Sequence, residues 1–255
     1  AITVEAPHLD TLDKMLLPIH LPIAAGVTLD GSFKNATDQP QSQQSQKYFD
    51  ALATAFLGVA TASPNGMLAF FKSYKLLDLA IKRWTSTGQL DQIKQIKPVF
   101  VEAPKLTGDG FNARITQYRA AAQSKKGALL LAVMRGRAAE GADFKDNAAR
   151  VGLVFGFPYP PRFDVATRLK IDHDDRREDH AGDKWYKAEA WRQVNQAAGR
   201  LIRHKHAFGA LVLLDKNLGQ NVNMSSWYRD RLRELPGATA LNKDLKAFFS
   251  RKINI

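Results

Sequence analysis

The stretch ALLLAVMRGRAAEGADF, residues 128–144, contains the pattern that decides the fold. Its first six residues form an unbroken apolar run, which is typical of a parallel strand covered on both faces. A segment rich in charge and glycine, residues 135–143, follows directly. The stretch therefore predicts a buried strand that ends in a polar loop, at the edge where open α/β sheets bind ligands.

The same alternation recurs on both sides of this stretch. Strand-like apolar runs occupy residues 67–71, 99–101, 151–157 and 207–214. Helical apolar spacing occupies residues 76–84, 111–123 and 183–204, and two amphipathic helices are predicted near residues 227–235 and 241–249. Alternating strands and helices predict an α/β fold with a mainly parallel central sheet flanked by helices.

The ends of the pattern suggest the domain organisation. Residues 1–45 contain scattered Pro, Gly and Asp and are predicted to be an irregular or edge-strand segment leading into one domain, residues 46–255. The densely charged residues 171–183 are predicted to be a surface insertion. The start at Ala1, directly in an extended segment, leads us to expect a fragment or a processed product.

Composition narrows the possible chemistry. The 255 residues include 45% apolar residues, enough for a sizeable core, and carry a formal net charge of +12. The charge favours polyanionic partners such as nucleic acid or an acidic membrane surface. The absence of cysteine excludes disulfides, thiolate metal sites and cysteine nucleophiles. No apolar run of membrane-spanning length and no secretory signal is recognisable, so a soluble, intracellular chain is expected.

The first candidate site is QAAGRLIR, residues 196–203. On a helix, Arg200 and Arg203 would share one face with Gln196, and Gly199 would permit close approach of a ligand. Two guanidinium groups suit a transferring phosphoryl group, because they are permanently charged and donate in a planar fork. The alternative is a solvated basic helix end.

The second candidate site is the loop after the buried strand. Arg135 and Arg137 could meet phosphates, and Gly136 and Gly141 would let the backbone approach a ligand. Glu140 and Asp143 could accept hydrogen bonds from sugar hydroxyls or orient the arginines. The alternative is a polar loop with internal ion pairs, which is favoured when the loop is considered alone.

The third candidate site is FFKSY, residues 70–74, where a strand opens into a helix. Ser73 is predicted to cap that helix, and the exposed amides at its start could hold a nucleic-acid phosphate. Lys72 adds charge and Tyr74 adds a stacking surface. Core packing explains the aromatic residues equally well.

Taken together, GMLAFFKSY (residues 66–74), residues 135–144 and residues 193–215 resemble motifs IV, V and VI of the iron–sulfur superfamily 2 DNA helicases, in order and in spacing. The resemblance is to the xeroderma pigmentosum group D type, and more closely to the Fanconi anaemia group J and regulator of telomere elongation types. It covers residues 65–218. The departures are Ala139, where the family usually has Ser, and Lys72, where a small residue or Pro is commoner.

The resemblance implies a RecA-like domain, the second of two in the motor. It implies that Arg200 and Arg203 act on the γ-phosphate of ATP, with Arg203 as the arginine finger and Gln196 nearby. Further nucleotide contacts are expected from Glu140, Gly141, Asp143 and Gly199. Single-stranded DNA contacts are expected from Lys72, Ser73, Tyr74, Arg135, Gly136 and Arg137.

The resemblance also implies what this chain does not supply. No phosphate loop and no Asp-Glu-x-His box occurs in the sequence, so ATP and Mg²⁺ are expected to be held mainly by the first RecA-like domain of the same helicase. The iron–sulfur cluster is expected outside this chain as well, and no metal site is predicted within it. The chain alone is therefore expected not to hydrolyse ATP.

Two functional hypotheses follow. The first is the second motor domain of a 5′-to-3′ DNA helicase in repair or genome maintenance, with single-stranded DNA as partner, no membrane partner, and a nuclear location implied by eukaryotic relatives. The alternative is a RecA-like interaction or nucleic-acid-binding module without motor activity. The intact arginine pair and the acidic pair Glu140 and Asp143 favour the first.

Overall fold

A computed structural model describes residues 12–104, 108–204, 206–219 and 221–253. The strands are β1 (Leu16–His20), β2 (Ile23–Ala24), β3 (Val27–Thr28), β4 (Gly66–Phe71), β5 (Val99–Val101), β6 (Ala128–Val133), β7 (Val151–Phe155), β8 (Gly209–Leu214) and β9 (Arg233–Glu234). The α-helices are α1 (Leu12–Met15), α2 (Gln43–Ala62), α3 (Tyr74–Ser86), α4 (Gln89–Ile96), α5 (Gly108–Ala122), α6 (Arg137–Gly141), α7 (Val165–Asp175), α8 (Ala181–Ala198), α9 (Ser226–Arg229) and α10 (Ala238–Ile253).

Seven of these strands form one sheet in the order β5-β6-β4-β7-β8-β1-β9, and every pairing in it is parallel. β2 and β3 form a separate antiparallel pair. In the centre of the sheet, Phe71 of β4 is in register with Val133 of β6 and Phe155 of β7. The predicted α/β fold with a parallel sheet is confirmed, and all seven carboxyl ends lie at one edge.

The central strands are continuous apolar runs because both of their faces are covered. Every residue of β4, β6, β7 and β8 is buried. Along β4, Met67, Ala69 and Phe71 pack into the core formed with α2, α3, α4 and α10, whereas Leu68 and Phe70 pack into the core formed with α5 and α8. The domain therefore has three layers, helices on each side of the sheet.

The prediction that residues 1–45 are irregular or edge material is wrong for Leu16–His20. This segment is β1, which pairs with β8 on one side and β9 on the other, so the first part of the chain belongs to the same sheet. Residues 1–11 lie outside the described part of the chain.

The region between β7 and β8 also differs from its prediction. The helix predicted over residues 183–204 is α8, which ends at Ala198, so the residues that follow it are not helical. The charged residues 171–183 form the end of α7, a turn and the start of α8, and they are largely exposed, as a surface segment should be. Among the described residues, no helix is both long and apolar enough to cross a membrane.

Candidate functional site

The loop from β6 into α6 is shaped by its glycine. Arg135 adopts a left-handed backbone with φ of 75°, and the Gly136 amide turns back to donate to the Val133 carbonyl at 2.8 Å. A β-carbon at position 136 would lie 2.6 and 2.7 Å from the two carboxylate oxygens of Glu102. Gly136 is therefore required for close packing of the loop against Glu102, whatever the loop binds.

Glu102, the residue after β5, connects the second and third candidate sites. Its carboxylate is buried, with the residue 3% exposed, and accepts hydrogen bonds from the Val133 amide at 3.0 Å and the Ala138 amide at 3.4 Å. It also accepts one from the Tyr74 hydroxyl at 3.2 Å. The sequence patterns did not indicate Glu102, although a carboxylate directly after an apolar strand at the ligand-binding edge was a usable signal.

Tyr74 and Ser73 lie where α3 begins. Ser73 caps the helix as predicted, because its hydroxyl accepts from the Leu76 amide at 3.2 Å. Burial raises the pKa of Tyr74 to about 12, and the negative charge of Glu102 and the hydrogen bond to it act in the same direction. The positive charge of Arg137 opposes this shift. Tyr74, Glu102 and Arg137 are therefore neighbours at the carboxyl edge of the sheet.

Lys72 lies apart from this group. Its ammonium donates to the Gly31 carbonyl, and its stem packs against Gly156. Burial lowers the pKa of Lys72, and the nearby carboxylates of Asp215 and Asp30 oppose that shift. The position predicted for a DNA contact thus holds a partly buried lysine that faces a different cluster from the one around Tyr74.

The prediction that Arg200 and Arg203 share one helix face is wrong, because α8 ends at Ala198, before both of them. Arg200 is 9% exposed, and its guanidinium donates to the Ala142 carbonyl at 2.8 Å and to the Ala139 carbonyl. Burial and the neighbouring charge of Arg203 lower the pKa of Arg200, while Asp143 and Glu140 oppose this, and an arginine remains charged throughout. Arg200 therefore fastens the end of α8 to α6.

Arg203 is the more open of the two. Its side chain is 35% exposed, and its Nε lies 3.8 Å from a carboxylate oxygen of Asp143. Asp143 also pairs with Lys145 at 3.2 Å. Glu140 is exposed on α6, and a β-carbon at position 141 would meet no described residue beyond its own stretch of helix. Arg203, Glu140 and Asp143 thus form a charged, solvent-facing group.

Gln196 and Gly199 lie at the end of α8. Gln196 is exposed in the last turn, and Gly199 closes the helix with its amide donating to the Asn195 carbonyl at 2.9 Å. At the other side of the site, Arg135 pairs with Glu189 of α8 at 3.5 Å.

The predicted residues therefore form two groups joined by α6. Ser73, Tyr74, Arg135, Gly136 and Arg137 lie at its start, at the carboxyl edge of the sheet, and Lys72 is excluded from them. Glu140, Gly141, Asp143, Arg200 and Arg203 lie at its end, with Gln196 and Gly199 on the helix that leads to them. Both groups include residues of α6 or residues next to it, so a movement of α6 would displace both.

Comparison with known proteins gives a consistent result. A family model described as "Helicase C-terminal domain" matches residues 56–233. The chain is 33% identical to the Regulator of telomere elongation helicase 1 homolog of Anopheles gambiae over 98% of its length, and 34% identical to the homolog of Drosophila melanogaster over 82%. It covers 26% and 22% of those proteins, about a quarter of their length.

Solved structures agree on the fold. The chain matches a structure named XPD_Helicase with a TM-score of 0.60 and 17% identity, covering 87% of this chain and 35% of that one. It matches the S. tokodaii Xpd4 structure with a TM-score of 0.54 and 14% identity, covering 87% of this chain and 38% of that one. The RecA-like architecture is therefore shared with these proteins.

Proposed function

Because this chain belongs to the helicase C-terminal domain family, we propose that it is the second RecA-like motor domain of an ATP-dependent DNA helicase. In this role it binds single-stranded DNA and closes on ATP held by the first RecA-like domain of the same helicase. We propose 5′-to-3′ movement, a nuclear location and a part in repair or genome maintenance, in line with the telomere-related names of its relatives.

The observation that supports this role best is the pair of groups joined by α6. Arg203 is open to solvent beside Asp143, so its guanidinium is free to turn toward the γ-phosphate as an arginine finger. The nucleotide would be contacted from α6 by Glu140 and Gly141, and from just after α6 by Asp143. Further contacts would come from Gln196 in the last turn of α8 and from Gly199, which follows it. Arg200 adds charge to the cleft while it holds α6 in place.

The single strand would run past the start of α6. Arg135 and Arg137 would meet its phosphates, and Gly136 would hold the two arginines in position by letting the loop pack against Glu102. The amides at the start of α3, behind Ser73 and Tyr74, offer a further phosphate site. Lys72 contributes to this path only if it leaves the Gly31 carbonyl.

Magnesium and most of the ATP contacts are assigned to the first RecA-like domain, and the iron–sulfur cluster of the family to a part of the helicase outside this chain. When bound, Mg²⁺ neutralises the charge that develops on the phosphates. The residues of this chain orient and stabilise the transferring group and follow the closure of the cleft. The chain alone is therefore proposed to have no ATPase activity.

The test joins this domain to a first RecA-like domain of the same helicase and measures DNA-stimulated ATP turnover. Arg203→Ala should lower turnover by about 10³- to 10⁵-fold, the contribution of an arginine finger, while nucleotide affinity changes far less. Arg251→Ala, on the exposed end of α10, is the matched control and should turn over normally.

Normal turnover in Arg203→Ala would overturn the finger assignment. No turnover in the joined, unmutated protein, with tight binding of single strands, would instead favour the alternative of a nucleic-acid-binding module that is not a motor.

A further inference from the structure

Four aromatic rings contact one another in succession from the core to the surface near Arg135, and we call them the aromatic ladder: Trp191, Phe157, Tyr159 and Tyr186. Trp191 of α8 is buried and contacts Phe157 edge-on, with ring centroids 5.0 Å apart. Phe157 contacts Tyr159 at 4.7 Å, and Tyr159 stacks on Tyr186 of α8 at 4.9 Å with an interplanar angle of 7°. The buried end of the ladder anchors rings that reach solvent.

Tyr159 and Tyr186 are held in place, and the rings of Tyr159 and Phe163 are accessible to solvent. The Tyr186 hydroxyl donates to the Pro160 carbonyl at 2.8 Å, which holds the 158–164 loop on α8. Tyr159 nevertheless remains 46% exposed, and Phe163 on the same loop is 92% exposed. Core packing does not explain a phenylalanine that makes so little contact with its own domain.

Guanidinium groups flank these rings. Arg162 lies over the Tyr186 ring, 5.7 Å from its centroid, and Arg135 pairs with Glu189, which is one helical turn from Tyr186. The charges of both arginines lower the pKa of Tyr186 against the larger raising effect of burial, so both lie near it. Two carboxylates are also present, but Glu189 is paired with Arg135 and Arg192, and Asp183 lies 4.0 Å from Arg162.

We propose that Tyr159 and Phe163 form a stacking platform for the bases of single-stranded DNA, with Arg135 and Arg162 meeting the adjoining phosphates. The Tyr159 ring is held in place before binding and therefore loses little conformational freedom. Aromatic faces accept every base, which suits a protein that moves along a strand. The proposal rests on the single-strand path proposed above and extends it from the start of α6 onto the 158–164 loop.

The test compares two labelled strands by fluorescence anisotropy with this chain, at one low salt concentration: oligothymidine, and an abasic strand with the same phosphates and no bases. Tyr159→Leu should bind oligothymidine about 5- to 100-fold more weakly than the unmutated chain and bind the abasic strand equally well. Tyr159→Phe keeps the ring and should match the unmutated chain on both strands. Phe163→Ala, at a residue too exposed to affect folding, should again weaken binding to oligothymidine alone.

Unchanged affinity of Tyr159→Leu for oligothymidine would overturn the platform, and so would an equal loss on both strands, which is the result of a merely structural role. Arg137→Ala separates this failure from that of the underlying path, since it should weaken binding to both strands. If Arg137→Ala does so and Tyr159→Leu has no effect, the path stands without the platform. If the unmutated chain binds neither strand, both are overturned.

Discussion

Two arginines three residues apart have opposite surroundings in this domain. The guanidinium of Arg200 is enclosed and bonded to two backbone carbonyls, whereas that of Arg203 faces solvent beside a carboxylate. The first arrangement stabilises the fold and the second leaves the side chain able to reach a ligand. The same residue type therefore serves different purposes, and substitution separates them.

Arg200→Met should lower the free energy of unfolding by about 2–4 kcal/mol, because it keeps the length of the side chain but leaves the carbonyls of Ala139 and Ala142 without their donors. Urea unfolding measures the loss. Arg203→Met is the matched control and should stay within about 0.5 kcal/mol of the unmutated chain, as expected for a surface position. Equal losses in the two variants would contradict the distinction.

Sequence patterns could identify part of this site at the level of single residues. The capping role of Ser73 was predictable, because a serine between a strand and an apolar helix has one common use. The fastening role of Arg200 was not, because its partners are backbone carbonyls that carry no signature in the sequence. Glu102 was missed because its three donors come from separate segments that meet only in the folded sheet.

At the scale of elements, α6 is short and depends on its neighbours. A five-residue helix is not stable alone, since one turn costs more conformational entropy than its hydrogen bonds return. Glu102 holds its start through the Ala138 amide, and Arg200 holds its end through the carbonyls of Ala139 and Ala142. The two groups of predicted ligand-binding residues therefore keep their spacing only while the contacts of Glu102 and Arg200 with α6 are intact.

The two glycines at the ends of this element should respond differently to substitution. Gly136→Ala should destabilise the domain by about 1–3 kcal/mol, because the added methyl group meets the backbone carbonyl of Val133 as well as the buried, hydrogen-bonded Glu102 carboxylate. Gly141→Ala has open space around it and should be neutral or stabilising by up to about 1 kcal/mol, since alanine favours helix. Thermal and urea unfolding of both variants check this. A neutral Gly136→Ala would show that the loop does not need the close approach.

The predictability of the elements follows from their burial. β4, β6, β7 and β8 were recognisable because strands covered on both faces are continuous apolar runs. β1 was not, because Pro18 lies in its middle and a proline argues against an interior strand. The structure accommodates it because β9 pairs only with Ile19 and His20, so Pro18 has a partner strand on the β8 side alone.

At the scale of the whole molecule, the first part of the chain completes the sheet. His20 donates from Nε2 to the Asp215 carbonyl at 3.0 Å and contacts Glu234 through Nδ1 at 3.0 Å, so it joins the ends of β1, β8 and β9. Ile19 is fully buried in the core. Residues 16–20 are therefore part of the folding unit and not a leader to it.

Deletion of residues 1–32 should abolish cooperative unfolding, because it removes β1 and exposes the edge of β8. In the intact chain, Ile19→Ala should lower the free energy of unfolding by about 2–5 kcal/mol, because it leaves a cavity. Denaturant transitions followed by near-ultraviolet circular dichroism measure both effects. A truncated chain that unfolds cooperatively with full stability would restore the domain boundary at residue 45.

The pairing of β1 with β8 also determines when the sheet can be completed during synthesis of the chain. The strands β4 to β7 lie within residues 66–155 and are neighbours in the sheet, so they can assemble while the ribosome is still at work. Leu16, by contrast, is in register with Gly209, about 190 residues later. At a synthesis rate of roughly 5–20 residues per second, β8 is made about 10–40 s after β1. During this time β1 is an unpaired apolar segment, to which a chaperone has reason to bind.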